Sequence, residues 1–161
     1  MIKTNAMRLL DARKTAYVPH EYDASVTDGG LVADTLGEPR DHGFKPLVTG
    51  SAKGEHLVFV VPVCRELDLK AAARAAGAKS VAMIKQKELE PLTGYVHGGC
   101  SPVGMKKRFR TFIDESAVDL ATIYVSGGRR GVQMEVSPKA LAEVCGATFA
   151  PIATDDGAAE E

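Results

Sequence analysis

The run Leu57-Val-Phe-Val-Val61 constrains the fold more than any other stretch of the chain. A strand with apolar side chains on both faces must be covered on both faces, so this segment belongs at the centre of a sheet. The strand that contains it, His56 to Val63, follows a second one, Phe44 to Thr49, across a Gly/Ser/Lys turn. Further strands are expected at Ala16 to Tyr22 (despite Pro19), Ser80 to Ile84, Thr111 to Ile113, Thr122 to Ser126, Val132 to Val136 and Thr148 to Ile152.

Helical segments lie between them. Thr4 to Lys14 places Ala6, Leu9, Leu10 and Ala12 on one face, with Thr4 or Asn5 as cap. Gly29 to Leu36 reads as a helix ended by Gly37 and Pro39, and Leu67 to Ala76 as one closed by Gly77. Lys87 to Leu92 suits a helical turn, and Ser137-Pro138 opens a helix to Cys145 with serine as cap and proline at its first position. Strands and helices mix without strict βαβ alternation. The expected class is therefore α+β with a mixed, largely antiparallel sheet and flanking helices.

A length of 161 residues suits one domain with one core, expected over residues 1–152. Residues 153–161 form an acidic tail expected to be disordered, with Asp155, Asp156, Glu160 and Glu161 among small residues. The overall charge of −1 thus conceals a net basic remainder, densest at Lys106 to Arg110 and at Arg129-Arg130. Such segments permit nucleic-acid binding and equally suit a solvated face. No apolar run reaches the roughly 20 residues that cross a bilayer, and Met1 to Arg8 lacks an apolar signal core, so a cytoplasmic protein is expected. Cys64, Cys100 and Cys145 are odd in number and lack CxxC spacing, and the four histidines are scattered. Neither a disulfide framework nor a metal site is expected.

Chemistry concentrates in the stretch from Gly94 to Arg108, where Gly98, Gly99 and Gly104 precede a basic cluster. Glycines let a ligand approach the main chain, and consecutive N–H groups can cradle a carbonyl oxygen or phosphate. Cys100, three residues after His97, admits two readings: a nucleophile, which needs a nearby base or cation, or a small residue tolerated at a tight turn. The pattern favours the second. Lys45 could hold a phosphate or ribose edge as a point charge, or be an exposed edge-strand lysine. The segment Ile123 to Gly131 is either a plain hairpin or a second polar wall in which Ser126 and the following N–H groups face the first loop. Tyr22 suits base stacking or a half-buried core position. Asp114 fits an N-cap.

Phe44-Lys45, Thr93-Gly-Tyr-Val-His-Gly-Gly-Cys-Ser-Pro-Val-Gly104, Phe112-Ile-Asp-Glu-Ser116 and Ile123-Tyr-Val-Ser-Gly-Gly-Arg-Arg-Gly131, taken in order, resemble the YbaK/EbsC family. These are free-standing trans-editing proteins related to the editing insertion of bacterial prolyl-tRNA synthetases. The resemblance runs from about Thr4 to Ile152. It implies a twisted, partly barrel-like sheet and hydrolytic removal of a wrongly attached amino acid from tRNA, cysteine from Cys-tRNA(Pro) in the first instance. It puts the family's essential lysine on Lys45, to hold the 3′-terminal nucleotide, its early-strand tyrosine on Tyr22 and its cleft serine on Ser126, followed by Gly127. Its glycine loop falls on Gly98, Gly99, Ser101 and Pro102, with backbone N–H groups near the aminoacyl carbonyl. Implied partners are the aminoacylated tRNA end and prolyl-tRNA synthetase, with no cofactor and no membrane. The chain departs from the family at Pro46, where threonine is usual, which removes a hydroxyl and an N–H from the cleft edge. Two other readings share these residues: a deacylase for another amino acid such as alanine, and a tRNA-end or nucleotide-binding module without turnover.

Overall fold

The computed structural model describes residues 3–154. In it the apolar run forms β3 (His56–Pro62), and all five residues from Leu57 to Val61 are fully buried. β3 is the middle strand of a five-stranded sheet in the order β4 (Val81–Met83), β2 (Phe44–Ser51), β3, β5 (Arg110–Asp114), β8 (Thr148–Ala150). β2 pairs antiparallel with both β3 and β4, whereas β3–β5 and β5–β8 are parallel, so the sheet is mixed.

Alternation along β3 divides two cores. Leu57, Phe59 and Val61 pack with Phe112, Val81 and Ile152 beneath α3 (Leu69–Ala76), whose Ala72, Ala73 and Ala76 lie against the sheet. Val58 and Val60 face the larger core, which includes Phe44, Val48, Ile113, Ile123, Met134 and Leu141. α1 (Asn5–Ala12) and α5 (Pro138–Cys145) cover that second face with Ala6, Met7 and Leu10, and with Leu141.

A smaller antiparallel sheet completes the fold, with β7 (Val132–Val136) between β1 (Tyr17–Glu21) and β6 (Ile123–Ser126). Val132, Met134 and Val136 face the large core while Gln133 and Glu135 face away, as the two-residue period requires. A parallel bridge between Gly43 and Tyr124 links the two sheets, which do not close into a barrel. α2 (Gly29–Leu36) lies between β1 and β2 in the chain, and α4 (Leu89–Thr93) between β4 and β5.

The expected elements are all present, with shifts at their ends. The helix expected from Leu67 starts at Leu69, because Asp68 caps it by accepting from Lys70 and Ala71 N–H at 3.1 Å each. The last strand stops at Ala150, since Pro151 follows and the N–H groups of Ile152 and Ala153 turn to Asp114. Thr154 N–H donates to the Glu66 carbonyl, so Ala153 and Thr154 are held to the domain. The remainder of the expected acidic tail, residues 155–161, lies outside the described residues.

Asp114 does cap, and does more than cap. Its carboxylate accepts from Ser116 N–H at 3.2 Å and from Ile152 and Ala153 N–H at 3.0 and 2.9 Å, pinning the closing segment to the end of β5. Burial pushes its pKa up, but these hydrogen bonds outweigh burial and hold it below the ordinary aspartate value. A carboxyl depressed in the folded state contributes stability above its unfolded pKa, about 3.9. That stability is lost as pH falls through the folded value. Asp114→Asn is expected to unfold at lower urea concentration than the parent at pH 7. The difference should shrink as pH falls below about 4, which urea titrations at each pH would measure.

Candidate functional site

A cleft of about 300 Å³ opens where the two sheets meet, walled by β2, the end of β6, the segment between β1 and α2, and the 97–100 loop. Lys45 and Pro46 stand on β2, Ser126 at the end of β6, and Tyr22 just beyond β1; His97, Gly98 and Cys100 come from the loop. Phe44, Val32, Leu47, Val63 and Leu89 supply an apolar lining. The cleft is therefore polar at its walls and apolar in part of its depth, as small-molecule sites usually are.

Lys45 is fixed by the central ladder. Val63 N–H donates to the Gly43 carbonyl, which makes Gly43 and Val63 a hydrogen-bonded pair and, by alternation, Lys45 and Val61 another. Its half-buried side chain forms no hydrogen bond or ion pair among the described residues. Pro46 falls at the intervening position opposite Val60, where an N–H would point away from β3. It costs the ladder nothing and leaves the cleft edge one donor poorer.

The two glycine loops meet backbone to backbone. Gly98 has φ +85°, and a Cβ there would lie 3.2 Å from Thr27 Cγ2 and 3.3 Å from Arg130 Nε. A Cβ on Gly99 would lie 3.0 Å from Arg129 Cα and from Arg130 N. Arg130 Nε donates to the His97 carbonyl at 2.8 Å and ties the loops together. Ser126 faces the same cleft as Gly98, whereas the Gly127 and Gly128 N–H groups expected to join it in a second wall are bonded within their own turn.

Several of the backbone donors are already committed. Gly99 N–H donates to the Val96 carbonyl at 3.0 Å, Gly127 N–H to Val132 at 2.8 Å, and Gly128 N–H to Ser126 Oγ at 3.2 Å. The N–H groups of Gly98 and Cys100 have no partner among the described residues, and both residues line the cleft.

Of the residues singled out from sequence, Tyr22, Lys45, Gly98 and Ser126 line the cleft together. Gly99, Ser101, Pro102 and Gly127 lie behind it. Ser101 is fully buried, its Oγ accepting from Val103 N–H at 3.2 Å. Pro102 borders a neighbouring hollow of about 270 Å³ that Arg13, Lys107 and Arg108 also line. The Gly127 carbonyl accepts from Thr4 Oγ at 2.6 Å, clamping the second loop to the start of α1. Asp28 and Gln133 line the cleft and were not anticipated. Gln133 could have been found from the alternation of β7; Asp28 caps the helix that follows it, and that local role gives no sign of the cleft.

Cys100 faces the cleft but is poorly suited to attack. Burial pushes its thiol up to about 12, so it stays protonated at neutral pH. Among the described residues, no three His, Cys, Asp or Glu side chains come together as metal ligands, and no helix is long and apolar enough to cross a membrane.

Residues 25–144 match the model of the aminoacyl-tRNA editing domain family. A curated relative from Enterococcus faecalis, a candidate Cys-tRNA(Pro)/Cys-tRNA(Cys) deacylase, is 43% identical over 156 residues, covering 96% of this chain and 95% of its own. Among solved structures, a candidate trans-editing enzyme for prolyl-tRNA synthetase superposes with a TM-score of 0.81 at 25% identity, covering 96% of this chain and all of the other. A hypothetical protein of 24% identity superposes with a TM-score of 0.85 over 91% of this chain and 97% of its own, which shows a shared fold. The chain belongs to the aminoacyl-tRNA editing domain family.

Close backbone contact between the two loops carries a direct consequence. Gly99→Ala should push the Arg129–Arg130 backbone away from the first loop and destabilise the domain by about 1–3 kcal/mol, read as a lower urea midpoint. A midpoint equal to that of the parent would show that the loops separate without cost.

Proposed function

We propose that this member of the family is a free-standing deacylase that removes misattached cysteine from Cys-tRNA(Pro). One observation carries the reading most. Among the described residues the cleft holds an ammonium without a protein partner, at Lys45, and two uncommitted backbone donors, at Gly98 and Cys100, while burial holds its one thiol, Cys100, protonated. That set of groups suits an activated ester with an anionic nucleic-acid tail. The name of the 43% identical relative points to the same substrate class.

In this reading Lys45 holds the phosphate or ribose of the terminal nucleotide as a point charge. Tyr22 stacks on the base or donates its hydroxyl to it. The N–H groups of Gly98 and Cys100 hydrogen-bond the carbonyl oxygen as it becomes an oxyanion, and Ser126 Oγ closes that side of the cleft. One such donor is worth on the order of 10²–10³ in rate. Gly99, Ser101, Pro102 and Gly127 keep both loops in place.

The cysteinyl side chain itself supplies the nucleophile. Its thiol has an ordinary pKa near 8.5 and keeps a useful thiolate fraction at neutral pH. Sulfur attacks the ester carbonyl, the carbon–oxygen bond to the ribose breaks, and the thiol proton ends on the tRNA 3′ oxygen. The products are a cyclic thiolactone and free tRNA. Holding sulfur next to the carbonyl provides the proximity term, and chemistry rather than pocket size then rejects residues without a thiol. A pocket alone would discriminate one methylene by only ~1–3 kcal/mol. Pro46 gives weight to one alternative, a deacylase for another misattached amino acid such as alanine, because it alters the cleft edge where the family keeps a threonine hydroxyl.

Arg13, Lys107 and Arg108 around the neighbouring hollow suit phosphates of the acceptor stem. Lys106 and Arg110 are less available: Lys106 Nζ donates to the Pro91 carbonyl and Arg110 pairs with Glu55. Such contacts add affinity and little sequence information, so choice of tRNA falls to a partner, prolyl-tRNA synthetase.

Loss of labelled cysteine from Cys-tRNA(Pro) is expected to be fast with the parent and at least about 10²-fold slower with folded Lys45→Ala, if Lys45 anchors the substrate end. Cys100→Ala is expected to keep the rate within about threefold, since its thiol takes no part. No loss above background with the parent would overturn the deacylase reading. Abolition by Cys100→Ala would restore the nucleophile that burial of the thiol argues against.

A further inference from the structure

An aminoacyl ester carries three features into the cleft: the carbonyl, the side chain and the α-ammonium. Lys45 and the loop amides serve the first and the nucleotide, but all are donors, and an ammonium taken out of water needs an acceptor. Among the described residues that line the cleft, Asp28 alone bears a carboxylate.

Asp28 is held in place for another reason. Its Oδ1 accepts from Leu31 N–H at 3.0 Å and caps α2, which fixes the carboxylate at the cleft wall. Its other oxygen, Oδ2, makes no hydrogen bond among the described residues. Arg40 lies near enough to interact electrostatically with the Asp28 carboxylate, while Arg40 Nε and Nη2 donate to the two carboxylate oxygens of Asp34, at 3.0 and 2.5 Å, so Asp28 forms no hydrogen-bonded ion pair with Arg40. Gly29 follows Asp28 on the cleft wall and packs against Val63, with no room there for a side chain of its own. Lys45 and Asp28 thus give the cleft one positive and one negative pole.

We infer that Asp28 accepts the α-ammonium of the aminoacyl group, orienting the substrate with its nucleotide toward Lys45 and its amino group toward α2. This rests on the deacylase reading and adds a positioning residue to it. Two consequences follow from the chemistry. An aminoacyl group with a blocked amine is rejected, because its amide nitrogen brings no charge to Asp28. Once the ester is cleaved, the tRNA end has lost the group that Asp28 held, which favours release of product.

The test pairs a change in the protein with a change in the substrate. Asp28→Asn and Asp28→Ser keep a capping oxygen and remove the charge, so both should fold, with circular dichroism as the check. Each is compared with the parent on Cys-tRNA(Pro) and on the 3-mercaptopropionyl ester of the same tRNA, which keeps the thiol and lacks the amine. The parent should favour the amine-bearing ester in kcat/KM on the order of tenfold more than either variant does. Dividing one enzyme's ratio by another's cancels the intrinsic reactivities of the two esters. An equal ratio in parent and variants overturns the assignment.

A second arm needs no turnover. Calorimetric binding of a cysteinyl amide of 3′-amino-3′-deoxyadenosine, with and without its α-amine, should show an amine preference in the parent that both variants lose. No preference in the parent, or one retained by the variants, overturns the role of Asp28. Amine-dependent binding with no hydrolysis of Cys-tRNA(Pro) would overturn the deacylase reading and leave Asp28 as the ammonium acceptor.

Discussion

Burial of β3 on both faces is the constraint from which the rest of the domain follows. Its odd residues pack beneath α3 and its even residues meet the core shared by α1, α5 and the smaller sheet. Moving β3 by one residue would exchange Phe59 and Val60 between two cores of different shape, so its register is fixed. Through the Lys45–Val61 pair that register sets where Lys45 stands, and through the Gly43–Tyr124 bridge it sets where the smaller sheet begins. A lysine without a partner among the described residues is held in position by a strand with no polar side chain between Leu57 and Val61.

The cleft is built with few polar side chains and much backbone. Loops 98–99 and 127–131 touch main chain to main chain, and much of their hydrogen-bonding capacity is consumed in holding each other and α1. What remains toward the cleft is a pair of amides, the polar side chains of Tyr22, Thr27, His97, Ser126 and Gln133, and the opposite charges of Asp28 and Lys45. In the proposed reading such a site orients an ester and stabilises developing charge, and its one thiol, Cys100, is held protonated by burial. A substrate with its own thiol would then bring the nucleophile, and esters that lack one would be spared.

The fold was legible in the sequence because its signals are local. Ser137-Pro138 capping and starting α5, Gly77 ending α3 in a left-handed conformation, and the alternation of β7 each depend on neighbours in the chain. The site was legible only in part. Lys45, Gly98, Tyr22 and Ser126 do converge, but Ser101 and Pro102, in the same loop, turn inward and toward the neighbouring hollow. Which face of an irregular loop a residue takes is decided by tertiary contacts, here the Tyr95 hydroxyl donating to the Val103 carbonyl and Ser101 Oγ accepting from Val103. Commitment of the Gly99 amide to Val96, and the place of Asp28 on the cleft wall, are likewise matters of packing that no spacing in the chain encodes.

The central claim is that substrate and protein divide the chemistry, the cysteinyl thiol attacking while the cleft holds it in place. Deacylation rates for Cys-tRNA(Pro) and for Ser-tRNA(Pro), which replaces that sulfur by oxygen, test it most directly when measured side by side with the same preparation. The account predicts rapid loss of cysteine and loss of serine close to the uncatalysed rate. Equal acceleration of both would contradict it, because attack would then come from water or from the tRNA and not from the misattached residue.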